Sequence, residues 1–251
     1  MVLNDREKIF QRYVKITAIS LIAILAACLF PRAMVYTRSF PDEYWELGKW
    51  NNGEPARVVD GYVVLEVNET EGMWSNSRLF RGVQPHGWHA YGDVPNIKIA
   101  RCGLSKLIML IKISVSDFEY YGNDSYVNAG VCLWLQLDDK YDLPIEVSHQ
   151  LVVDFYLIKT HNGELLWDTG LWQGNGTDYD YHYSWPLNKV EENARPKYVV
   201  LDLTKGIRKA LKELGMKSAI LRAVEIYLEA KNGYGRCCVY SVIIIAIGFL
   251  F

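Results

Sequence analysis

The sequence predicts an all-β protein, a two-sheet antiparallel sandwich that carries one short helix. Two strands indicate this most clearly, Val152–Ile158 and Arg222–Ala230, because apolar residues alternate in each with carboxylates and tyrosines. A period of two points successive side chains to opposite faces of a sheet. Turn signals separate many such strands, only one segment has a helical stripe, and no strand–helix–strand alternation indicates a parallel sheet.

Strand patterns recur through the first two thirds of the domain. The predicted strands are Gly61–Val67, Ile97–Ala100, Leu107–Val115, Tyr126–Leu137 and Leu151–Lys159, followed by short runs through Trp185. Two polar segments, Asp138-Asp139-Lys140 and His161-Asn162-Gly163, are expected to be turns between strands. Many strands joined by short turns are typical of an antiparallel sandwich.

One helix is predicted after the strand Val199–Leu201. Thr204 is the expected N-cap and Gly215 the expected stop. Between them an apolar stripe can pack on the sandwich, formed by Ile207, Ala210, Leu211 and Leu214.

The tail Val239–Phe251 is strongly apolar and rich in Ile and Val. It is too short to span a bilayer, and its β-branched residues favour a buried strand. We therefore predict that Cys238–Ile247 is a strand inside a sheet and closes the sandwich. Membrane contact of the final residues is the alternative.

The N-terminal region is typical of a membrane or export segment. A basic tail (1–13) precedes an apolar segment (14–30), which is predicted to be a hydrophobic helix that packs against nothing in the main domain. A linker (31–40) then leads to one domain (41–251). The basic flank predicts that the domain lies outside the cell, either secreted or anchored at the surface. Leu25-Ala26-Ala27-Cys28 also resembles a lipoprotein cleavage box, so cleavage stays open.

Composition excludes several classes of partner. The net charge is −2, and no basic patch interleaves with aromatic residues, so no nucleic-acid partner is expected. The 17 tyrosines and 8 tryptophans suit a β protein with a stacking surface. No cysteine or histidine spacing is typical of a metal site, and no cofactor is expected. Disulfides and buried free thiols both remain open for Cys102, Cys132, Cys237 and Cys238.

The candidate site lies on the polar faces of the two strands that define the fold. Asp154 and Tyr156 share one face of the first strand, and Glu225, Tyr227 and Glu229 share one face of the second. Carboxylates among aromatic rings supply acid/base groups and flat surfaces for pyranose rings, which a sugar-cleaving cleft requires. We therefore expect all three carboxylates to face one groove.

Several segments, in this order, resemble glycoside hydrolase family 12, whose members are jelly-roll endoglucanases with a concanavalin A-like sandwich. The resemblance runs from about Tyr44 to the C-terminus. The matching segments are Trp50-Asn51, Val94-Pro95-Asn96, Asn128–Trp134, Asp154–Ile158, Asp202 with the helix after it, and Leu228-Glu229 with the glycines that follow.

The resemblance implies retaining hydrolysis of a β-linked glucan, with Asp154 as nucleophile and Glu229 as acid/base. It implies substrate binding by Trp50, Trp134, Tyr156, Glu225 and Tyr227. Two positions depart from the family. Its nucleophile is Glu, which is one methylene longer than Asp154, and the Asp that hydrogen-bonds the family's nucleophile is replaced by Cys132, whose thiol is a weaker partner. Withdrawal of the nucleophile by roughly 1 Å can cost on the order of 10²-fold in rate.

Two other functions stay open. A non-catalytic carbohydrate-binding protein would keep the aromatic groove and tolerate the changes at Asp154 and Cys132. A structural or adhesive sandwich at the cell surface would bind no sugar. His86, His89 and His149 are interpreted as ordinary surface histidines. The expected partners are a polysaccharide and, through the N-terminal segment, a membrane, and the chain is expected to be a monomer.

Overall fold

The computed structural model describes residues 32–35, 40–85, 89–92, 96–137, 149–173 and 180–248. Several sequence predictions therefore lie outside the described residues. They are the N-terminal helix within 14–30, the turn at 138–140, His86 and the pair Val94-Pro95.

Strands dominate the described residues, and one helix interrupts them. The strands are β1 (Arg32–Val35), β2 (Glu46–Trp50), β3 (Arg57–Val59), β4 (Tyr62–Glu69), β5 (Ser75–Val83), β6 (Ala90–Tyr91), β7 (Ile97–Ala100), β8 (Lys106–Tyr120), β9 (Tyr126–Leu137), β10 (Gln150–His161), β11 (Glu164–Leu165), β12 (Gly170–Gln173), β13 (Asp180–Pro186), β14 (Lys197–Asp202), β15 (Ser218–Lys231) and β16 (Gly233–Gly248). The helix is α1 (Leu203–Glu213).

The strands form two sheets that pack face to face, which confirms the predicted jelly-roll sandwich. The smaller sheet has the order β14-β8-β16-β4-β3, with β1 paired to β16. The larger sheet has the order β12-β13-β10-β9-β15-β5-β2, with β11, β6 and β7 on its margins. Because β9 pairs with both β10 and β15, the two strands that carry the predicted site flank a common neighbour.

One pairing differs from the expected antiparallel pattern. Strand β13 pairs with β10 in parallel, with Asp154 opposite Ser184, although the other named strand pairs of the described residues are antiparallel. A parallel neighbour needs a longer connection than a hairpin, and residues 162–179 supply it through β11 and β12. The period-two pattern of β13 predicts a strand and carries no information on its direction.

The core lies between the sheets and is built from alternate residues of each strand. Val153, Phe155 and Leu157 of β10 are buried in it, as predicted from their parity. The same holds for Val224, Ile226 and Leu228 of β15. Their neighbours therefore point away from the core, onto the outer face of the larger sheet.

The predicted turn at Asn162-Gly163 is a two-residue hairpin loop between β10 and β11. Both residues have positive φ, 49° and 84°, which is the backbone that a type I′ turn requires and that Asn-Gly adopts most readily. Its geometry matches the right-handed twist of the flanking strands.

Helix α1 begins differently from the prediction. Thr204 is inside the helix, and its hydroxyl accepts a hydrogen bond from the backbone N–H of Leu107 at 2.7 Å, which ties the helix to β8. The N-cap residue is Asp202, whose carboxylate pairs with Lys106 and makes no cap hydrogen bond. Gly215 ends the helix with a φ of 71°, as expected. No helix among the described residues is long and apolar enough to cross a membrane.

The segment Cys238–Ile247 lies within β16, which confirms the predicted closing strand. It pairs along most of its length with β8 and at its end with β1, which occupies four residues of the segment interpreted as a linker. Cys237 is buried in the core, and Cys238 points to the outer face of the smaller sheet. The four cysteines within the described residues are free thiols.

Gly206 allows α1 to approach the core, and its substitution tests this packing. A Cβ built at Gly206 would lie 2.5 Å from the ring of Phe155. We expect the clash in Gly206→Ala to lower the free energy of unfolding by about 1–3 kcal/mol. At an exposed helix position without such a clash, the same substitution would stabilise the helix by about 1 kcal/mol.

Urea unfolding followed by circular dichroism measures this change. Phe155→Leu in the same chain should recover part of the loss, and Lys205→Ala, at an exposed position of α1, is the control. A stabilising Gly206→Ala would contradict the packing.

Candidate active site

A groove of ≈ 760 Å³ crosses the outer face of the larger sheet. Its lining combines aromatic side chains with acidic, basic and amide groups. The lining residues are Trp50, Trp74, Asn76, Arg78, Gln84, His89, Cys132, Trp134, Val152, Asp154, Tyr156, Trp172, Asp180, His182, Glu225, Tyr227 and Glu229. All seven residues that the sequence nominated for the site are among them, so Asp154, Glu225 and Glu229 share one groove, as their strand parity predicts.

The register of β9 arranges these residues in rows across the sheet. Cys132 pairs with Asp154 on one side and with Glu225 on the other. Asp154 is therefore level with Glu225. Glu229 lies four residues farther along β15, roughly 13 Å by strand geometry, and is level with Asn128.

Two tyrosines lie between these rows, over a glycine. Tyr156 and Tyr227 both pair with Gly130, and their rings meet edge to face with centroids 6.2 Å apart. A Cβ at Gly130 would lie 2.9 Å from the Tyr227 hydroxyl oxygen, so only glycine leaves room for the pair. The tyrosines thus form an aromatic floor between Asp154 and Glu229.

Glu229 has a carboxyl whose pKa is strongly raised. Burial raises its pKa to about 8, and the charges of Asp154 and Glu225 act in the same direction. Asn128 opposes them by donating its Nδ2–H to the carboxylate at 3.1 Å, and the Asn128 Oδ1 is held by the backbone N–H of Thr160. At neutral pH Glu229 is therefore predominantly protonated and can act as a proton donor.

Asp154 lies between a thiol and two basic side chains. Burial raises its pKa, while the charge of His182 when protonated, a hydrogen bond from the Cys132 thiol and the charge of Lys159 lower it. Burial also raises the pKa of Cys132 well above its usual value, so the thiol keeps its proton and can donate to Asp154. Burial outweighs these groups, so the net shift of the Asp154 pKa is upward, and its neighbours limit that shift.

A β-bulge places Lys159 beside Tyr156, at the border of the groove. An irregularity between Tyr156 and Ile158 shifts the alternation of β10, so that Leu157 and Ile158 are both buried in the core. The Lys159 ammonium consequently lies 4.7 Å from the centre of the Tyr156 ring and pairs with Asp168 at 3.0 Å.

Glu225 is held by donors from three neighbouring side chains. Trp134 donates its indole N–H at 3.2 Å, Asn76 donates an amide N–H at 3.5 Å, and the Arg78 guanidinium is 3.9 Å away. Burial still raises the pKa of Glu225. Two hydrogen bonds and one ion pair occupy the Glu225 carboxylate, so it is less available as an acid than Glu229 and is suited to positioning and charge balance.

The groove also contains residues that sequence reasoning missed. Trp172 stacks on His182 with ring centroids 4.1 Å apart, and the His182 Nε2 lies 3.2 Å from the Asp180 carboxylate. The alternating run Asp180–Trp185 was the available signal. His89 was interpreted as a surface histidine, and this is corrected: it lines the groove and pairs with Glu46. The described residues contain no group of three or more His, Cys, Asp or Glu that could hold a metal ion.

The chain was compared with protein families, curated proteins and solved structures. No family model and no curated protein matches it. It is similar to a family 12 xyloglucanase from Bacillus licheniformis (13% identity, 85% of this chain, 99% of that chain, TM-score 0.48). It is also similar to a family 11 xylanase from Neocallimastix patriciarum (11%, 85%, 99%, 0.47) and to endoglucanase 3 of family GH12 from Trichoderma harzianum (10%, 84%, 96%, 0.45). Such values describe a similarity of architecture, and the chemistry of this chain has to be inferred from its own groove.

The raised pKa of Glu229 makes stability depend on pH in a defined direction. Because its folded-state pKa of about 8 exceeds the ordinary value of 4.5, folding favours the protonated carboxyl. The contribution of this group to stability is full below about pH 4.5 and is lost as the pH rises toward 8. Glu229→Gln keeps a neutral side chain of the same shape, so we expect the variant to be more stable than wild type at pH 8.5 and nearly equal at pH 4.5.

Thermal unfolding measured across this pH range tests the expectation. Glu164→Gln, which removes an exposed carboxyl, should leave the profile unchanged. Parallel profiles for wild type and Glu229→Gln would contradict the burial of Glu229.

Proposed function

We propose that this chain is a retaining endo-glycosidase that cleaves a β-linked glucan in the groove of its larger sheet. One observation carries the proposal: Glu229, with a pKa of about 8, shares a tryptophan-lined groove with Asp154, a second carboxyl that accepts a hydrogen bond from the Cys132 thiol. Retaining hydrolysis requires a protonated acid and an ionised carboxylate whose carboxyl groups are about 5–5.5 Å apart. The side chains of Glu229 and Asp154 therefore have to close most of the backbone offset of roughly 13 Å between their rows.

The shape of the groove supports a polymeric substrate. Trp172 on β12 and Trp50 on β2 lie at opposite edges of the larger sheet, and each is about half exposed. Six strand spacings separate the two edges, roughly 29 Å. A sugar chain that crosses the strands would stack on both tryptophans and pass over the tyrosine floor, which favours attack within the chain over attack at its ends.

The reaction would proceed in two displacements. Asp154 attacks the anomeric carbon while Glu229 gives its proton to the leaving glycosidic oxygen, which breaks the C–O bond and forms a glycosyl ester on Asp154. Glu229, now ionised, then takes a proton from water, and the water oxygen attacks the same carbon and releases Asp154. Trp50, Trp134, Tyr156, Glu225 and Tyr227 would hold the sugar chain.

A non-catalytic carbohydrate-binding protein is the second candidate, and two observations favour it. Cys132 gives Asp154 a weaker hydrogen-bond partner than a carboxylic acid would. The register also makes Asp154 level with Glu225, so Glu229 has to reach back across the tyrosines. The aromatic groove serves either function, whereas an adhesive sandwich that binds no sugar would have no use for it.

The proposal also says where the domain lies relative to the cell. The apolar segment 14–30, with its basic flank, would anchor the domain or export it, so that the groove meets polysaccharide outside the cell. A single chain supplies every residue of the groove, so a monomer would suffice.

Turnover of β-1,4-glucan and mixed-linkage glucan by the full chain tests the acid/base assignment. We expect Glu229→Gln to lower the rate of reducing-end release by about 10²–10⁴-fold, because the leaving oxygen loses its proton donor. Glucan affinity, measured by calorimetry, should stay unchanged, because the aromatic groove is intact.

Glu225→Gln is the matched control for this assignment. It removes a carboxyl from the same strand and groove and should affect glucan binding more than turnover. Loss of turnover in Glu225→Gln with activity retained in Glu229→Gln would overturn the assignment and make Glu225 the acid.

The nucleophile and its partner are tested by rebuilding the family's pair. Asp154→Glu restores the missing methylene, and adding Cys132→Asp restores a strong hydrogen-bond partner. We expect the double variant to release reducing ends faster than wild type, because a displacement of roughly 1 Å can cost on the order of 10²-fold in rate.

The outcome separates the two functions. If wild type and the double variant bind glucan and neither releases reducing ends, the protein is a binding module. If neither binds glucan, the sugar hypothesis fails.

A further inference from the structure

The outer face of the smaller sheet is aliphatic at one end. Outward-facing residues of β14, β8 and β16 alternate with buried core residues such as Met109 and Ile244. The register brings six of them together in successive rows: Val200, Leu110, Ile243, Ile108, Ile245 and Ile247. Polar residues normally occupy this face when an antiparallel sheet meets water, so these six residues, here called the aliphatic band, indicate a surface that is covered.

A polar rim borders the aliphatic band. In the next row Lys112 pairs with Tyr198 and Ser241, and a register shift in β16 leaves Tyr240 beside that row. The Lys112 ammonium lies 5.5 Å from the centre of each tyrosine ring. Beyond that row the same face carries hydroxyl groups and charges. At the other end, Asp202 shares the row of Ile108, and Lys106 shares the row of Ile247. Asp202 and Lys106 pair with each other at 2.7 Å. Tyrosine and lysine at the edge of an apolar surface are typical of groups that lie at lipid headgroups.

The chain enters the sheet beside the aliphatic band. Strand β1 pairs with the end of β16, with Arg32 opposite Gly248 and Val35 opposite Ile245. In the sequence the apolar segment Ile16–Phe30 ends only two positions before Arg32. A bilayer that holds this segment must therefore lie next to this end of the smaller sheet.

We propose that the aliphatic band rests on the surface of the bilayer that holds the N-terminal segment. Its aliphatic side chains meet the acyl boundary, while Tyr198, Tyr240 and Lys112 lie among the headgroups. The proposal rests on the membrane anchor proposed above and is independent of the chemistry in the groove.

A second copy of the chain and the N-terminal segment itself fit the aliphatic band less well than a bilayer does. The band covers roughly 200–300 Å² by strand geometry, whereas a stable dimer buries about 800 Å² on each partner. The N-terminal segment is apolar on all sides, so packing it on the sheet would leave its far side in water. A bilayer covers the band and surrounds the segment at once.

Photo-crosslinking in vesicles tests the proposal. The full chain is reconstituted into phosphatidylcholine–phosphatidylglycerol vesicles with p-benzoylphenylalanine in place of Tyr198. A second protein carries it in place of Trp167, on the connection between β11 and β12. The two positions are equally exposed, 62% each. Position 198 lies on a strand of the smaller sheet, and the strands on either side of position 167 belong to the larger sheet. Mass spectrometry after irradiation should show lipid adducts several-fold more abundant at position 198 than at position 167.

The matched variant introduces a charge into the aliphatic band. Val200 is 58% exposed, so Val200→Glu should fold, and it should lower the lipid adduct at position 198. Leu165→Glu, at an exposed position of β11, should leave that adduct unchanged. Three kinds of result would each overturn the proposal. The first is an adduct of position 198 with the N-terminal segment or with a second copy of the chain. The others are equal lipid adducts at both positions and a chain that does not float with vesicles. None of these outcomes depends on glucan hydrolysis, so the two proposals fail separately.

Discussion

The shared pairing of β9 with β10 and β15 fixes the geometry of the groove. Because β9 bonds to both strands, its side chains decide what lies between the carboxylates. Gly130 leaves the space in which two tyrosine rings meet, Cys132 separates Asp154 from Glu225, and Asn128 holds Glu229. A one-residue slip of β9 would send these side chains into the core and break all three relations together.

The same pairing concentrates negative charge. Asp154, Glu225 and Glu229 share one partly desolvated surface, and burial raises the pKa of each. A carboxylic acid at position 132 would place a fourth acidic group between two of them, whereas the neutral Cys132 thiol avoids this repulsion and gives up a strong hydrogen bond to Asp154. Arg78 and Lys159 balance part of the remaining charge, the first beside Glu225 and the second beside Tyr156. Catalytic strength and electrostatic stability therefore oppose each other at Cys132.

Alternation along the strands was enough to predict the sandwich, its closing strand and the face on which each nominated residue lies. The register between strands could not be predicted. A period of two determines the face on which a side chain lies, but it does not determine which residue of the neighbouring strand pairs with it. Asp154 is consequently level with Glu225, although the resemblance pairs it with Glu229. Trp172 was missed because its strand β12 has only four residues, whereas His182 was missed although the alternating run Asp180–Trp185 was available. The hydroxyl of Thr204 was predicted to cap α1 because a sequence shows no tertiary partner such as the Leu107 N–H.

The two outer surfaces of the sandwich face in opposite directions. The groove lies on the larger sheet and the aliphatic band on the smaller one, with a single core of β10, β15, β8 and β16 side chains between them. Packed sheets are about 10 Å apart, so a domain resting on a bilayer through the band would present Trp50 and Trp172 away from the lipid. A long polysaccharide could then cross the groove without meeting headgroups. In the proposed orientation the bilayer would cover the smaller sheet and leave the groove of the larger sheet free for substrate.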